Sequence, residues 1–357
     1  MSKSRKSRKR KKRDKVLIIS FMFLIICVAG IVLYYCFFNG EDSVVKKIEP
    51  KKKIKIVDED SNKRPIAVMI DNNVGYNSHA GLQDSYINYE IIVEGGFTRI
   101  MALFKDKDVD LIGPVRSSRH YFLDYALESD AIYAHYGWSP YAENDIKTLG
   151  VNNINGLTAE SAYWRDKKIA APHNVFTNIE TLYKYASSKG YSDETEDWKL
   201  LNYSADDITF KGPEINKETG EAVEEDDRIV ANNLNLRYSN YQLTSYSYDS
   251  ENKYYLRSMD GKAHIDKTTG EQLHYKNIIV MKVKNYSLDS YGRQDLDTVG
   301  SGDGYYITNG YALPITWTKD ERDGKTKYKY EDGKTVKVND GNTFIQIIPI
   351  TTTPEFS

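Results

Sequence analysis

Apolar positions fall into three textures along the chain. Val16–Phe38 is an almost unbroken apolar run of twenty-three residues. At ~1.5 Å rise per residue it reaches roughly 34 Å, enough to cross a bilayer with some tilt. From Arg64 to Ser188, short apolar runs alternate with segments at helical spacing. Ile66–Ile70, Arg99–Phe104, Leu111–Ile112 and Ala131–Tyr136 read as strands. Asp84–Val93 places Tyr86, Tyr89 or Glu90, and Val93 at helical spacing, and Gly95–Gly96 breaks it. Ser117–Glu128 reads as an amphipathic helix. Ser139 caps another with Pro140 at its first position, and Thr177–Ser188 is a third that stops near Gly190. After about residue 200 the texture changes to short Tyr-, Ile-, Val- and Thr-rich runs. These are separated by the turn pairs Asp260–Gly261, Thr269–Gly270, Asn309–Gly310, Asp332–Gly333 and Asp340–Gly341. No internal repeat of fixed period is present.

These patterns predict a transmembrane helix at residues 16–38 and a mixed-sheet α/β domain at 64–200. A β-rich domain at 205–350 follows. Residues 39–63 are charged and lack sustained periodicity, as expected of a stalk. Charge sharpens the picture at the amino terminus. Residues 1–15 carry ten Lys or Arg against Asp14, a net of +9, which leaves −11 for the rest of a chain whose total is −2. Such a block next to an apolar run is a cytoplasmic tail by the positive-inside rule, so residues 39–357 are expected outside. A cleaved signal peptide would need a shorter apolar region and a small-residue cleavage site, which Val16–Phe38 lacks. Both cysteines, Cys27 and Cys36, lie in that run, so the outward part needs no disulfides.

The densest chemistry lies between Arg64 and Gly137. Gly113–Pro114–Val115–Arg116–Ser117–Ser118–Arg119–His120 joins a strand end to a predicted helix start. There, backbone N–H groups, the Ser117 and Ser118 hydroxyls and the positive end of the helix would meet. Arg116, Arg119 and His120 at i, i+3 and i+4 would share a helix face and cradle an anion. The competing account is a capped helix whose arginines pair with Glu90, Glu94 or Asp124. Asp71 and Asn72 end the first strand, where the carboxylate is a base, a ligand or a turn cap. Glu94 beside Arg99 is either a second functional carboxylate or an ion pair across a turn. His135 ends a strand, and His173 and Asn174 close Ala171–Pro172–His173–Asn174. No HxH or HxxxH spacing gathers the histidines, so no metal and no cofactor are expected. Gly137–Trp138–Ser139 looks like the opening of a nucleophile elbow but has Pro140 and Tyr141 where that pattern breaks down; a helix cap fits better. Gly300–Ser301–Gly302–Asp303–Gly304 lacks a Lys-Ser/Thr sequel and is expected to be a hairpin loop.

The residues just quoted carry a resemblance. RPIAVMIDN, GLQDSYINYEIIVEGGFTRIMALF, IGPVRSSRHYF, AHYGWSP and APHN, followed by YLRSMDGKAHIDKTTGEQLHYKNIIV, VGSGDGYYITNG, ITWTK and GNTFIQIIP, resemble in order the segments of the YerB family of bacterial lipoproteins. The resemblance spans about residues 64–350 and implies two adjoining domains of unknown function on an envelope protein. It supplies no catalytic residues. This chain departs from the family at the tether, because neither cysteine follows a small residue as lipidation requires. The expected function is a membrane-anchored extracellular protein that binds an anionic wall component, a lipid-linked precursor or a wall-synthesis partner. No nucleic-acid ligand is expected. The alternative is an extracellular hydrolase or transferase acting on peptidoglycan or a phosphodiester. In that case Asp71, Glu94, His120, His135 and His173 would converge in one pocket. A third possibility is a scaffold that docks proteins on its β domain.

Overall fold

The computed structural model describes residue 15 and residues 19–34, 52–212 and 227–357. Residues 19–34 are helical with exposed apolar side chains. Both ends of the Val16–Phe38 run, most of the basic tail and residues 39–51 lie outside the described residues. Among the described residues, no helix is long and apolar enough to cross a membrane. Lys53–Ser357 forms a compact unit of its own.

An eleven-stranded sheet is the frame of that unit. From edge to edge it runs Lys327–Tyr330, Tyr311–Lys319, Gly300–Thr308, Asn277–Val283, Thr343–Pro349, Ile87–Ile92, Thr98–Phe104, Ile66–Asp71, Ile132–His135 and Asn153–Asn155, with Ile229–Val230 beside Tyr311–Lys319. The α/β segment and the β-rich segment are therefore fused through backbone hydrogen bonds. The seam is Thr343–Pro349, which pairs parallel to Asn277–Val283 on one side and to Ile87–Ile92 on the other. A smaller six-stranded sheet is built around Asn233–Ser239, Gln242–Asp249 and Tyr254–Met259.

Burial on both faces explains the central strands. Ile66, Val68 and Ile70 pack with Leu234, Leu236 and Tyr246 of the smaller sheet and with Ile179 and Leu182 of the helix Ile179–Ser188. Ala67 and Met69 point the other way and pack with Tyr121, Phe122 and Tyr125 of the helix His120–Leu127. A strand covered on both sides has no reason to alternate apolar with polar residues. This corrects one expectation: Asp84–Val93 is not a helix. Ile87–Ile92 is a strand with every residue buried, and its helical spacing was coincidental.

Other elements follow their local chemistry. Ser139 Oγ accepts from the Ala142 backbone N–H at 3.2 Å with Pro140 at the first helical position. Asp260–Gly261 and Asn309–Gly310 each take positive φ at both residues, as two-residue hairpin turns need. Two further expectations are corrected. Gly300–Gly304 is not a hairpin loop but the start of the strand Gly300–Thr308. A Cβ on Gly304 would lie 2.1 Å from the Val280 carbonyl oxygen, so the neighbouring strand requires glycine there. The expected stalk is folded over its last ten residues: Ile54 and Ile56 pack on the core and Val57 is buried. The Lys55 and Ile56 amides donate to the Asp340 carboxylate at 2.9–3.0 Å.

Candidate functional site

Ile66–Asp71, Ile87–Ile92 and Ile132–His135 point the same way, so their carboxyl ends, with the antiparallel Thr98, form one rim of the sheet. Asp71, Asn72, Glu94, Arg99 and His135 all lie on or just past this rim. Open sheets bind ligands in this position because loops there are free to diverge while the strands hold them rigidly.

The rim is divided among separate partners. Arg116 does not lie on a helix: Val115 bridges to Ile70, and the Arg116 amide donates to the Met69 carbonyl at 2.9 Å. The helix begins only at His120, with Arg119 at its cap position. The expected shared face of Arg116, Arg119 and His120 is therefore corrected, and the three side chains diverge. Arg119 grips Glu94 through two bonds of 2.6 and 2.9 Å. Burial pushes the Glu94 carboxyl up, but the Arg119 hydrogen bonds and charge, with Arg99 behind them, hold it below its usual range. Arg99 does not pair with Glu94; it donates to the Ser117 carbonyl at 2.6 Å. Burial and the Arg119 charge lower its guanidinium to about 10, still cationic at neutral pH. His120 Nε2 meets Asp295 Oδ1 at 2.8 Å beside a separate cleft of about 460 Å³.

The two serines are also occupied. Ser117 Oγ donates to the Tyr136 carbonyl at 2.9 Å, and Ser118 Oγ accepts from the Tyr133 hydroxyl at 2.9 Å. The Ser118 amide donates to the Gly137 carbonyl, so it is not free for a ligand. His135 is buried, with Nδ1 2.8 Å from the Gly137 carbonyl and Nε2 3.2 Å from Asn153 Oδ1; burial lowers it to about 4. Asn174 is buried, and its side-chain carbonyl takes a 2.6 Å bond from Arg165.

One group of predicted residues does come together. Asp71 is buried, and its Oδ2 lies 2.6 Å from His173 Nδ1 and 3.1 Å from Arg116 Nε. Its Oδ1 accepts from the Asn73 amide at 3.1 Å, the expected turn cap. The Arg116 Nε–H is not aimed at the carboxylate, so this contact is an ion pair without a hydrogen bond. Among the described residues, the terminal nitrogens of Arg116 have no hydrogen-bond partner, and its side chain is 24% exposed beside His173 at 31%. The convergence expected of a catalytic set is not observed: no hydrogen bond or ion pair links Asp71 and His173 to Glu94, His120 or His135. Among the described residues, no group of three or more His, Cys, Asp and Glu side chains is placed to hold a metal.

Behind Asp71 lies a polar chain that sequence reasoning missed. Glu90, fully buried, accepts from Arg257 at 2.9 Å, from Thr98 at 2.8 Å and from Thr244 at 3.0 Å; Asn72 also donates to it at 3.0 Å. Arg257 also donates to His264 Nδ1. His264 Nε2 meets His79 Nδ1 at 2.8 Å, and His79 Nε2 meets the Asp71 carbonyl at 2.6 Å. Donors must alternate with acceptors, so both imidazoles are neutral with the proton on Nε2. Burial lowers His79 to about 4, and burial with the Arg257 charge takes His264 well below its ordinary value. For Arg257, burial opposes the charge, and Glu90 overrides it and raises the guanidinium. Glu90 and Arg257 lie 167 positions apart, and no local pattern announces such a pairing.

Residues 54–192 match the family described as protein of unknown function (DUF3048), N-terminal domain, and residues 234–345 match the corresponding C-terminal domain. The chain belongs to this YerB-like family of two-domain proteins. A curated relative from Bacillus subtilis (strain 168), named "Putative lipoprotein YerB", is 29% identical over 309 residues, covering 86% of this chain and 88% of its own. The crystal structure of the YerB protein from Bacillus subtilis superposes with a TM-score of 0.70 at 28% identity, covering 84% of this chain and 96% of the other.

Proposed function

We propose that the protein is an envelope protein held to the membrane through Val16–Phe38, with its tail in the cytoplasm and its folded unit outside, and that it binds an anionic component of the cell wall. The apolar run, the basic block before it and the name of the Bacillus subtilis relative support the location. The observation that carries the binding role is Arg116. Its guanidinium lies at the rim of the sheet, is steered by a buried carboxylate that also holds His173, and keeps its terminal nitrogens free of hydrogen bonds among the described residues. A guanidinium in that state is suited to a phosphate or carboxylate oxygen pair. Arg119, by contrast, is spent on Glu94 and serves the fold.

The test is phosphate-ester binding to the full chain in nanodiscs, followed calorimetrically. Arg116→Ala with His173→Ala is expected to weaken binding about tenfold to a hundredfold, the range for losing a charged hydrogen bond or two. Arg119→Ala is expected to lower stability and leave affinity nearly unchanged. Unaltered binding by the Arg116/His173 double variant would reject the assignment.

A further inference from the structure

The hairpin that presents His173 carries a second feature. Trp164–Arg165 pairs antiparallel with Val175–Phe176. Beside this ribbon lies a cavity of about 380 Å³ whose lining includes Trp164, Arg165, Lys167, Lys168, Phe176 and Lys267. A second cavity of about 170 Å³ is also lined by Trp164 and Arg165, together with Tyr136, Glu160 and Tyr163. Trp164 is 40% exposed, unusual for the largest apolar side chain in a soluble fold. The cations around it are fixed to different degrees. Arg165 is bonded to Asn174 and lies 4.9 Å over the ring of Tyr136. Lys267 lies 4.8 Å over Phe176, with its ammonium 3.4 Å from Asp166. Lys167 and Lys168 are exposed. Four cations against Asp166 and Glu160 leave this groove around Trp164 basic. Tyr136, which lines the smaller cavity, donates its amide to the Arg116 carbonyl at 2.9 Å, and His173 of the Arg116 site lies in the loop between the two strands of the ribbon.

An open aromatic face offers a ring-sized apolar platform, and flanking guanidinium and ammonium groups offer charge for oxyanions. One isolated phosphate needs no tryptophan, and a neutral sugar needs no four cations. We infer that this groove holds a chain of sugar rings bearing phosphate or carboxylate groups, with one ring on Trp164 and its anions on Arg165 and the lysines. This names the ligand class for the Arg116 site and rests on the proposed function above. The groove is what would turn a weak single-anion contact into recognition of a polymer.

The experiment measures binding of the full chain in nanodiscs to phosphomannan, polygalacturonate, neutral mannan and inorganic phosphate, and of detergent-solubilised chain to phosphatidylglycerol vesicles. The expected result is that at least one anionic polymer binds tighter than both mannan and inorganic phosphate, and which of the two polymers binds identifies the oxyanion. Trp164→Ala is expected to remove about three- to tenfold of that advantage, in the range of a single aromatic contact. Lys167→Ala with Lys168→Ala is expected to flatten the salt dependence. All three side chains are exposed, so the variants fold. Equal affinity for mannan and the anionic polymers, tighter binding to the vesicles than to either polymer, or an anionic-polymer affinity unmoved by Trp164→Ala, would each overturn the inference. If Trp164→Ala alone has no effect while the Arg116/His173 variant loses phosphate, the groove assignment fails and the Arg116 site stands.

Discussion

Acid should loosen this fold through His79. The imidazole is buried and neutral, with its two nitrogens committed to the Asp71 carbonyl and to His264. Its ordinary value of 6.5 falls to about 4 in the folded protein. Above 6.5 the imidazole is neutral in both states, and its titration does not affect stability. Between 6.5 and about 4 the unfolded chain takes up a proton that the folded chain refuses, so stability falls with pH. The loss stops growing below about 4. At pH 5 the environment lies 1.5 units inside that window, and at ~1.36 kcal/mol per unit the loss is about 2 kcal/mol from this residue. His135 has the same depression and adds a similar amount, and His264 acts in the same direction. The assay is urea unfolding of the Lys53–Ser357 unit at pH 7 and pH 5, comparing the natural sequence with His79→Gln. Glutamine keeps a donor for Asp71 and an acceptor for His264 but does not titrate. The natural sequence should lose about 2 kcal/mol more than the variant across that interval. Parallel losses in the two proteins would refute the claim that His79 is held neutral.

Removing one member of the Glu90–Arg257 pair strands a charge between the two sheets, so Arg257→Met is expected to cost about 3–5 kcal/mol, read as a shift in urea midpoint at unchanged slope. Gly304→Ala forces a Cβ against the Val280 carbonyl and is expected to lose about 3 kcal/mol or fail to fold, measured by thermal unfolding. Ser139→Ala removes a side-chain cap and should lower stability by about 1 kcal/mol in the same assay.

Local chemistry was readable where one residue settles the matter. The Ser139–Pro140 helix start, the Asp260–Gly261 and Asn309–Gly310 turns and the rim position of Asp71 and His135 all follow from short-range rules. The failures share a cause, which is that distant segments decided the outcome. Ile87–Ile92 spells a helix until Thr343–Pro349 and Thr98–Phe104 flank it. Arg116, Arg119 and His120 share a face only if the helix starts early, and the strand contact of Val115 with Ile70 delays it to His120. Ile54, Ile56 and Val57 sit among lysines and aspartates in a segment that looks solvated, yet Asp340 anchors it from the far end of the chain. Of the five residues expected to converge in a catalytic pocket, only His173 and Asp71 meet, because segments a hundred residues apart decide which side chains share the rim.

Among the described strands, the one that joins the two halves of the large sheet is the last but one in chain order. Once the chain has emerged from the ribosome as far as residue 300, every described helix of the compact unit and both strands that will border Thr343–Pro349 are free, but not that strand itself. Until it arrives, Ile87–Ile92 and Asn277–Val283 present naked apolar borders, the kind that recruit foreign strands. A chain broken off before residue 343 is therefore expected to clump, and the growing one needs shelter until Thr343–Pro349 emerges.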